Sequence, residues 1–317
     1  MIEKRTVLVL GAGASKPYGF PTGEELLKEI VYVEQDSATP VGNALQQCGF
    51  RDLHIREFVY EMNRSGRKSV DAFLEHRAEF EIIGKTAMIA ALVPKENPPK
   101  LFDRSNDEHW YQYLFQQMGS SFEEFCNSRL SVITYNYDRS LESLLLNALE
   151  SYFKKKRDEC IAVLNKMPII HLHGQLGTLL TDVNDGTHRR YENRVDPLFF
   201  ERCIPQIKIV HEVNDKDNPE FKRANQLLVN AERICFLGFG YDKINLRRLA
   251  GRHGTPQSFL TSPFEKQGCG TAQGFTKAEI KLIIQTQLTG NFFCGRSILG
   301  QSGTPTGDRH IALRVFF

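Results

Sequence analysis

The sequence predicts an α/β fold in which a mainly parallel sheet carries helices on both faces. Short runs rich in β-branched residues alternate with helical patterns, and this alternation favours parallel strands joined by crossover helices. The first run, Thr6–Leu10, ends in a glycine-rich turn at residues 11–15, and a helix is predicted over residues 22–31. Residues 35–125 then show helical patterns alone. We therefore expect a Rossmann-like sheet with a helical insertion after its first βα unit.

The remaining elements follow from the spacing of apolar residues and from turn-forming residues. A polar stretch at residues 35–49, which contains Pro40 and Gly42, predicts irregular backbone. The other helices of the insertion are predicted over residues 51–63, 69–74, 81–93 and 110–118. Strands are then predicted over residues 130–135, 161–164, 168–172, 205–210 and 233–237, and helices over residues 140–155 and 220–231.

The composition changes from residue 251 onward. This stretch is rich in glycine and carries seven Lys or Arg residues against three Asp or Glu residues. Thr276 and Glu279 form a capping box for one helix, and residues 301–308 are predicted to be a loop. We therefore divide the chain into a domain over residues 1–250 and a mildly basic extension over residues 251–317 that packs on or near it.

The overall composition is typical of a soluble globular protein, since 41% of the 317 residues are hydrophobic and 25% are charged. A net charge of +2 does not by itself point to a membrane or to nucleic acid as a partner. We expect no membrane partner, and binding of nucleic acid stays an open question. The seven cysteines are scattered without a C-x-x-C pair, which argues against a disulfide framework and a zinc ribbon. The N-terminal region lacks a signal-peptide pattern, and no apolar run reaches the ~18–20 residues of a membrane span. We expect a cytoplasmic protein without a metal.

Polar or glycine-rich residues follow four of the predicted strands, and the carboxyl ends of strands are where ligands bind in an open α/β sheet. Each cluster has a structural explanation by itself, as helix caps, turn glycines or packed histidines. His171 and His173 would share a face of their strand unless the strand ends between them. Together the clusters predict one ligand crevice. They are residues 11–15, residues 136–138 with Asn136 and Asp138, His173 with Gly174, and Gly238 with Gly240 and Asp242.

The order of these clusters resembles that of the sirtuin superfamily. The matching motifs are Gly-Ala-Gly-Ala-Ser at 11–15 with Gly-Phe-Pro at 19–21, Thr-Tyr-Asn-Tyr-Asp at 134–138 and His-Leu-His-Gly at 171–174. The chain is more closely similar to the sirtuin-like domains of bacterial antiphage systems. This closer similarity adds Val-Asp-Ala-Phe-Leu-Glu at 70–75, Trp-Tyr at 110–111 and Leu-Gly-Phe-Gly-Tyr-Asp at 237–242. Residues 1–250 are thereby identified as a sirtuin-like, NAD-binding catalytic domain.

The resemblance implies a role for each matched residue. In this family the glycine turn approaches the pyrophosphate of NAD⁺, and the Asn and Asp after the second strand lie near the nicotinamide ribose. The implied catalytic residues are Asn136, Asp138 and His173, and Gly238 and Gly240 would face the adenosine half. The implied NAD⁺-binding residues are Gly11, Ala12, Gly13, Ser15, Pro21, Thr134, Gly238, Gly240 and Asp242.

Two departures from the deacylating sirtuins favour water as the acceptor of ADP-ribose. Those enzymes carry a zinc module with paired C-x-x-C motifs, which this sequence lacks. They also carry Asp-Phe-Arg after the proline, whereas Thr-Gly-Glu follows Pro21 here. The expected activity is NAD⁺ hydrolysis to nicotinamide and ADP-ribose, in an antiphage effector for which NAD⁺ is the substrate.

Two other functions stay open. The crevice can instead sense NAD⁺ or ADP-ribose, so that assembly with a partner is the function, and the basic, glycine-rich extension motivates this alternative. The resemblance implies a homo-oligomer, or a partner such as a helicase-like ATPase. The third possibility is a NAD-dependent protein deacylase, which would consume NAD⁺ only together with an acylated peptide.

Overall fold

Six parallel strands form one sheet at the centre of the computed structural model, in the order β3-β2-β1-β4-β5-β6. Every neighbouring pair is parallel. This arrangement confirms the predicted α/β, Rossmann-like fold. The strands are β1 (Thr6–Leu10), β2 (Leu130–Thr134), β3 (Ile169–His171), β4 (Arg233–Leu237), β5 (Gln267–Gly270) and β6 (Phe292–Cys294).

The structure describes residues 1–34, 36, 38–181, 187–194, 197–209, 218–250, 267–271, 275, 278–279 and 292–294. Within these ranges, helices pack on both faces of the sheet. Up to β2 they are α1 (Gly23–Val31), α2 (Pro40–Gln47), α3 (Asp52–Arg64), α4 (Val70–Leu74), α5 (Glu81–Leu92), α6 (Pro98–Leu101), α7 (Trp110–Met118) and α8 (Phe122–Cys126). The later ones are α9 (Ser140–Phe153), α10 (Arg157–Leu164), α11 (Pro197–Cys203), α12 (Pro219–Asn230) and α13 (Lys243–Ala250).

Strand β1 is buried on both sides and separates two hydrophobic cores. Val7 and Val9 pack with apolar residues of α12 and α13 on one face. Leu8 and Leu10 pack with the insertion and with α9 on the other face. Because successive side chains of a strand point to opposite faces, this continuous apolar run supplies both cores.

The regular elements of the insertion between β1 and β2 are helices without a strand among its described residues, as predicted. Helix α5 lies at its centre, and ten of its twelve residues, from Ile83 to Leu92, are buried. It packs against α1, α2, α3 and α4. A helix that is apolar all round has to be covered on every side, so α5 organises the insertion as a second layer on the sheet.

A buried ion cluster joins the insertion to the end of β2. Glu96, which follows α5, accepts two hydrogen bonds from Arg139, at 3.0 Å from Nε and 2.6 Å from Nη2. Arg189 contacts the same carboxylate through Nη1. The side chains of Glu96 and Arg139 are fully buried. Such a bidentate pair has a fixed geometry, so it sets where the insertion lies relative to the β2–α9 connection.

Two predicted strands are wrong. Residues 161–164 lie in α10, whose buried residues Cys160, Ile161 and Leu164 have helical spacing. A run of four apolar residues does not by itself distinguish a strand from one helix face. Residues 205–210 begin in the 3-10 helix Ile204–Gln206, and Ile207 forms a single bridge with Gly174.

The described elements that were not predicted include α2, α11, α13, β5 and β6. Helix α2 forms where irregular backbone was expected, because Pro40 occupies the first helical turn, where proline is tolerated, and Thr39 Oγ1 accepts the N–H of Gly42 at 3.0 Å. Strands β5 and β6 extend the sheet with residues beyond position 250. The sequence of β5, Gln-Gly-Cys-Gly, has little strand propensity, and pairing with β4 overrides it.

The predicted helix that starts at the Thr276 capping box and the predicted loop at residues 301–308 lie largely or entirely outside the described residues. Within the described ranges, no helix is both long enough and apolar enough to cross a bilayer.

We expect Glu96→Ala to lower the free energy of unfolding by about 3–5 kcal/mol, because it leaves the buried Arg139 guanidinium without its counter-ion. Denaturant unfolding followed by circular dichroism measures the change. Glu24→Ala is the matched control, since Glu24 pairs with Lys28 in an exposed position and its loss should leave the midpoint unchanged. Equal midpoints for both variants would contradict a stabilising role of the buried cluster.

Candidate functional site

The turns after β1 and β4 meet at the centre of the sheet's carboxyl edge. The strand order places β1 between β2 and β4. From this point the chain builds the sheet outward in two directions, through β2 and β3 on one side and through β4, β5 and β6 on the other. Open α/β sheets bind ligands in the crevice at such a switch point. The turn after β1 is the 3-10 helix Ala12–Tyr18, which begins after Gly11 and ends at the left-handed Gly19, with φ 95°.

These two turns pack backbone against backbone because three glycines lack side chains. The Gly13 N–H donates to Gly238 O at 3.0 Å. A Cβ on Gly11 would lie 2.5 Å from Gly238 O, and a Cβ on Gly238 would lie 2.0 Å from Ala14 N. Gly238 has a positive φ of 56°, and its N–H donates to Thr271 Oγ1 at 2.7 Å. The fold therefore brings the predicted glycines Gly11, Gly13 and Gly238 together.

Gly240 and Asp242 have different surroundings. Gly240 is exposed, and a Cβ added to it would meet no atom within 4 Å. Asp242 Oδ1 accepts the N–H of Ile244 at 2.8 Å and that of Asn245 at 3.0 Å, at the start of α13. Asp242 thus has a helix-capping role in this structure, whereas the space beside Gly240 is open.

The remaining predicted binding residues lie around the first turn. Ala12 opens the 3-10 helix and is half-buried. Pro21 is also half-buried and directly precedes Thr22, the N-cap of α1. Thr134 is the last residue of β2, and its buried Oγ1 accepts the N–H of Asn136 at 3.0 Å.

Asn136 connects the end of β2 to the turn after β1. Its Nδ2 donates to Gly11 O at 3.0 Å and to Ser15 Oγ at 2.9 Å. Because a carbonyl oxygen only accepts hydrogen bonds, the first contact fixes which end of the amide carries the nitrogen. Oδ1 of Asn136 accepts no hydrogen bond from the described residues. The side chain therefore presents one acceptor in a fixed orientation.

Asp138 lies near Ser15, whose hydroxyl lowers the pKa of the carboxyl group. Oδ1 of Asp138 accepts the N–H of Ser140 at 3.1 Å and also the hydroxyl of Ser140. Tyr111 OH lies 2.7 Å from Ser140 Oγ. Burial raises the pKa of Asp138 above its ordinary value, and the hydrogen bonds from the two serines oppose this rise. The carboxyl group of Asp138 therefore influences the crevice mainly through Ser15 and Ser140.

His173 approaches the same edge from the other face of the sheet. Its ring lies 5.5 Å from the ring of Tyr135 and 6.3 Å from that of Phe221, between centroids, and its residue is 6% exposed. Phe221 belongs to α12, on one face of the sheet. Asp138 instead bonds to Ser140 of α9, which contacts Tyr111 of α7 on the other face. Asn136 and His173 are thus brought to neighbouring strand ends from opposite faces.

Strand β3 does end between the two predicted histidines, so they do not share a face. His171 Nδ1 donates to Asn136 O at 2.9 Å, and Nε2 lies 2.6 Å from Glu142 Oε1. Burial by itself would lower the pKa of His171, but Glu142, the Asn136 carbonyl and Asp138 outweigh it and raise that pKa. His171 therefore contacts the backbone of a candidate catalytic residue.

Helix α7 of the insertion holds the first turn in place. Trp110 Nε1 donates to Ala14 O at 2.9 Å, and the N–H of Tyr111 donates to Tyr18 OH at 2.9 Å. The rings of Tyr18 and Tyr111 stack with centroids 3.9 Å apart. The Trp-Tyr motif, which the sequence marks only through its resemblance, thus has a physical role as a support of the turn.

A second motif known only from resemblance supports the β2–α9 connection. The hydroxyl of Tyr137 donates to the carboxylate of Asp71 in α4. Asp71 thus ties the insertion to the residue between Asn136 and Asp138.

Three site residues were missed in the sequence, namely Ser140, Glu142 and Thr271. The first two lie in the first turn of α9, shortly after Asp138. The start of a helix that directly follows a sheet strand faces the carboxyl edge, and this position was a usable signal. Thr271 follows β5, which the sequence does not predict, so it had no such signal.

No protein-family model matches the chain, and no curated protein matches it. The function is therefore inferred from the geometry of the site and from the sequence motifs. Among the residues that the structure describes, no group of three or more His, Cys, Asp or Glu residues is arranged to hold a metal ion.

We expect Gly238→Ala to lower the free energy of unfolding by about 2–5 kcal/mol, because its Cβ overlaps the first turn at a positive φ. Gly240→Ala is the matched control and should change stability little, since nothing lies near its Cβ. Thermal and denaturant unfolding of the two variants measure the difference. Comparable losses at both positions would show that the interlocked turns are not the cause.

We expect Asp138→Asn to be at least as stable as the parent protein at neutral pH. A carboxyl group whose pKa is raised in the folded state stabilises the fold below its unfolded pKa of about 3.9, and that stabilisation is lost as pH rises through the folded pKa. The melting temperature of the variant relative to the parent should therefore increase from about pH 4 to pH 7. A relative melting temperature that falls over this range would contradict the raised pKa.

Proposed function

We propose that this protein is an NAD⁺ glycohydrolase, which cleaves the bond between nicotinamide and ribose and releases nicotinamide and ADP-ribose. The observation that carries the proposal is the oriented carboxamide of Asn136 beside the interlocked glycine turns, with Gly11 O fixing its direction. This group lies at the switch point of a Rossmann-ordered sheet, where dinucleotides bind in this class of fold. His173 lies at the adjacent strand end.

The chemistry of the substrate suits this arrangement. Nicotinamide leaves a cationic N-glycoside as a neutral molecule, so the departure needs no general acid. The site has to stabilise a ribose that becomes oxocarbenium-like, and it has to orient a nucleophile. Oδ1 of Asn136, which accepts no hydrogen bond from the part of the chain that the structure describes, can hold a water molecule or a ribose hydroxyl by its O–H.

His173 supplies the candidate base. An imidazole can accept a proton from water or from a ribose hydroxyl near neutral pH. Its ring is packed between aromatic side chains, which restricts its orientation. Water that attacks the anomeric carbon loses one proton, and this proton would pass to the imidazole.

Asp138 contributes through the hydrogen bonds behind Asn136. The Ser15 hydroxyl accepts a hydrogen bond from Asn136 and lies near enough to Asp138 to lower the pKa of its carboxyl group, so Asp138 would help to orient the amide through Ser15. When ionised, it would also favour the positive charge that develops on the ribose. Its raised pKa makes this second contribution grow as pH rises.

The biological role that we propose is that of an antiphage effector, which depletes NAD⁺ when it is triggered. The support for this role is the ordered set of motifs, together with the supporting contacts of Trp110, Tyr111 and Asp71. Assembly into a homo-oligomer, or with a partner ATPase, would provide the trigger. A steep rise of specific activity with protein concentration would support assembly as the activating step.

We expect Asn136→Ala to lower the turnover of NAD⁺ by about 10²–10³-fold and His173→Ala by about 10²–10⁴-fold. Release of nicotinamide, followed by chromatography, measures turnover, and circular dichroism checks the fold. Asn127→Ala is a control for the first variant because Asn127 lies exposed before β2, at the opposite edge of the sheet. His76→Ala, at an exposed position in the insertion, is the control for the second.

Three other outcomes have defined meanings. Unchanged turnover in both site variants would reject this site. Tight binding of ADP-ribose without turnover at any protein concentration would favour the sensor. Consumption of NAD⁺ only when an acylated peptide is added would favour the deacylase.

A further inference from the structure

The connection between β2 and α9 has little regular structure, although it carries Asn136 and Asp138. Strand β2 ends at Thr134 and α9 begins at Ser140. Backbone hydrogen bonds hold Tyr135 and Tyr137 in the connection between them, whereas side chains hold Asn136. The Asn136 side chain and N–H are fixed by the contacts described above. Its carbonyl is held by a different group, the imidazole of His171.

The hydrogen-bond partners of His171 define its protonation state. The Asn136 carbonyl only accepts, so Nδ1 of His171 carries a proton. A carboxylate lies at the other nitrogen, with Glu142 Oε1 2.6 Å from Nε2. If Glu142 is ionised, Nε2 donates as well, and the ring is an imidazolium.

The surroundings favour that ionised pair. The side chains of His171 and Glu142 are only 8% and 7% exposed, so their attraction is weakly screened by water. The other charged groups near the pair are Asp138 and Arg139 in the β2–α9 connection, and Lys208, Glu220 and Arg223 around a cavity of about 390 Å³. Arg139 is paired with Glu96. Lys208 and Glu220 pair with each other at 3.1 Å, so they largely cancel.

We propose that His171 and Glu142 are positioning residues, which form a buried imidazolium–carboxylate pair that fixes the peptide plane of Asn136. The pair is neutral as a whole. It can therefore hold the backbone beside the crevice without adding net positive charge near a ribose that becomes cationic. Its effect on turnover rests on the proposed function, whereas the pair itself and its hold on the backbone do not.

Two variants separate the charge from the hydrogen bond. Glu142→Ala removes the negative charge and the hydrogen-bonding partner of Nε2. Glu142→Gln removes the charge but keeps a hydrogen-bonding partner. Glu150→Ala is the matched control, because Glu150 lies on the same helix and pairs with Arg157 in a more exposed position.

The first experiment is NMR of the protein labelled with ¹⁵N-histidine. In the parent protein and in Glu150→Ala, the His171 ring should keep both protons at pH 7.5. In Glu142→Gln it should lose one proton at a lower pH than in the parent protein, because the carboxylate no longer offsets the effect of burial on the pKa of His171. The backbone amide of Tyr137, which shares the peptide plane of the Asn136 carbonyl, should shift in Glu142→Ala and stay unchanged in Glu150→Ala. A singly protonated ring in the parent protein would overturn the proposal whether or not NAD⁺ is hydrolysed.

The second experiment is steady-state kinetics of the same variants. For Glu142→Ala we expect kcat to fall about 10- to 100-fold with a smaller change in KM, because the acceptor is displaced while most binding contacts are kept. For Glu142→Gln, kcat relative to the parent should fall as pH rises through the lowered pKa of His171 that NMR gives for this variant. An unchanged kcat in folded Glu142→Ala would reject the positioning role. Absence of turnover in the parent protein would reject the proposed function alone, since the NMR result still tests the pair.

Discussion

The contact between the two glycine turns is the constraint on which the candidate site depends. Gly11 and Gly13 lie so close to Gly238 that no side chain fits between them. This closeness places the carbonyl of Gly11 where the amide of Asn136 can reach it, and Ser15 follows one turn later. A wider gap between the turns after β1 and β4 would therefore disturb both the backbone of the crevice and the side chain that we consider most important for its chemistry.

The helical insertion supports this arrangement from one face of the sheet. Trp110 binds the first turn, Asp71 binds the β2–α9 connection, and Glu96 binds the guanidinium of Arg139. These contacts involve buried polar groups, which cost free energy unless each one is paired. Because these hydrogen bonds require a particular direction and distance, they fix the positions of the site residues more closely than the hydrophobic core around α5 does by itself.

Two buried titratable groups of the site respond to pH in the same direction. Burial raises the pKa of Asp138, and for His171 the pairing with Glu142 outweighs burial and also raises the pKa. In both cases the protonated form is favoured in the folded protein, so the stabilisation decreases as pH rises through the folded pKa values. Under the proposed function, activity and stability would place opposite demands on Asp138, since an ionised carboxylate would assist a cationic transition state.

The sequence by itself determined the sheet strands β1, β2, β3 and β4, the helical insertion, and the residues that follow each strand, because apolar runs and glycine turns are local signals. It did not determine β5 and β6, whose short sequences form strands only through pairing with β4 and with each other. Likewise, the sequence marked His171 and His173 as neighbours, but only the tertiary structure decided their separate surroundings. The end of β3 turns His171 toward Glu142, a contact across 29 positions of sequence, and His173 toward the rings of the other face. Contacts between residues distant in sequence depend on the packing of whole elements, so local patterns alone did not reveal them.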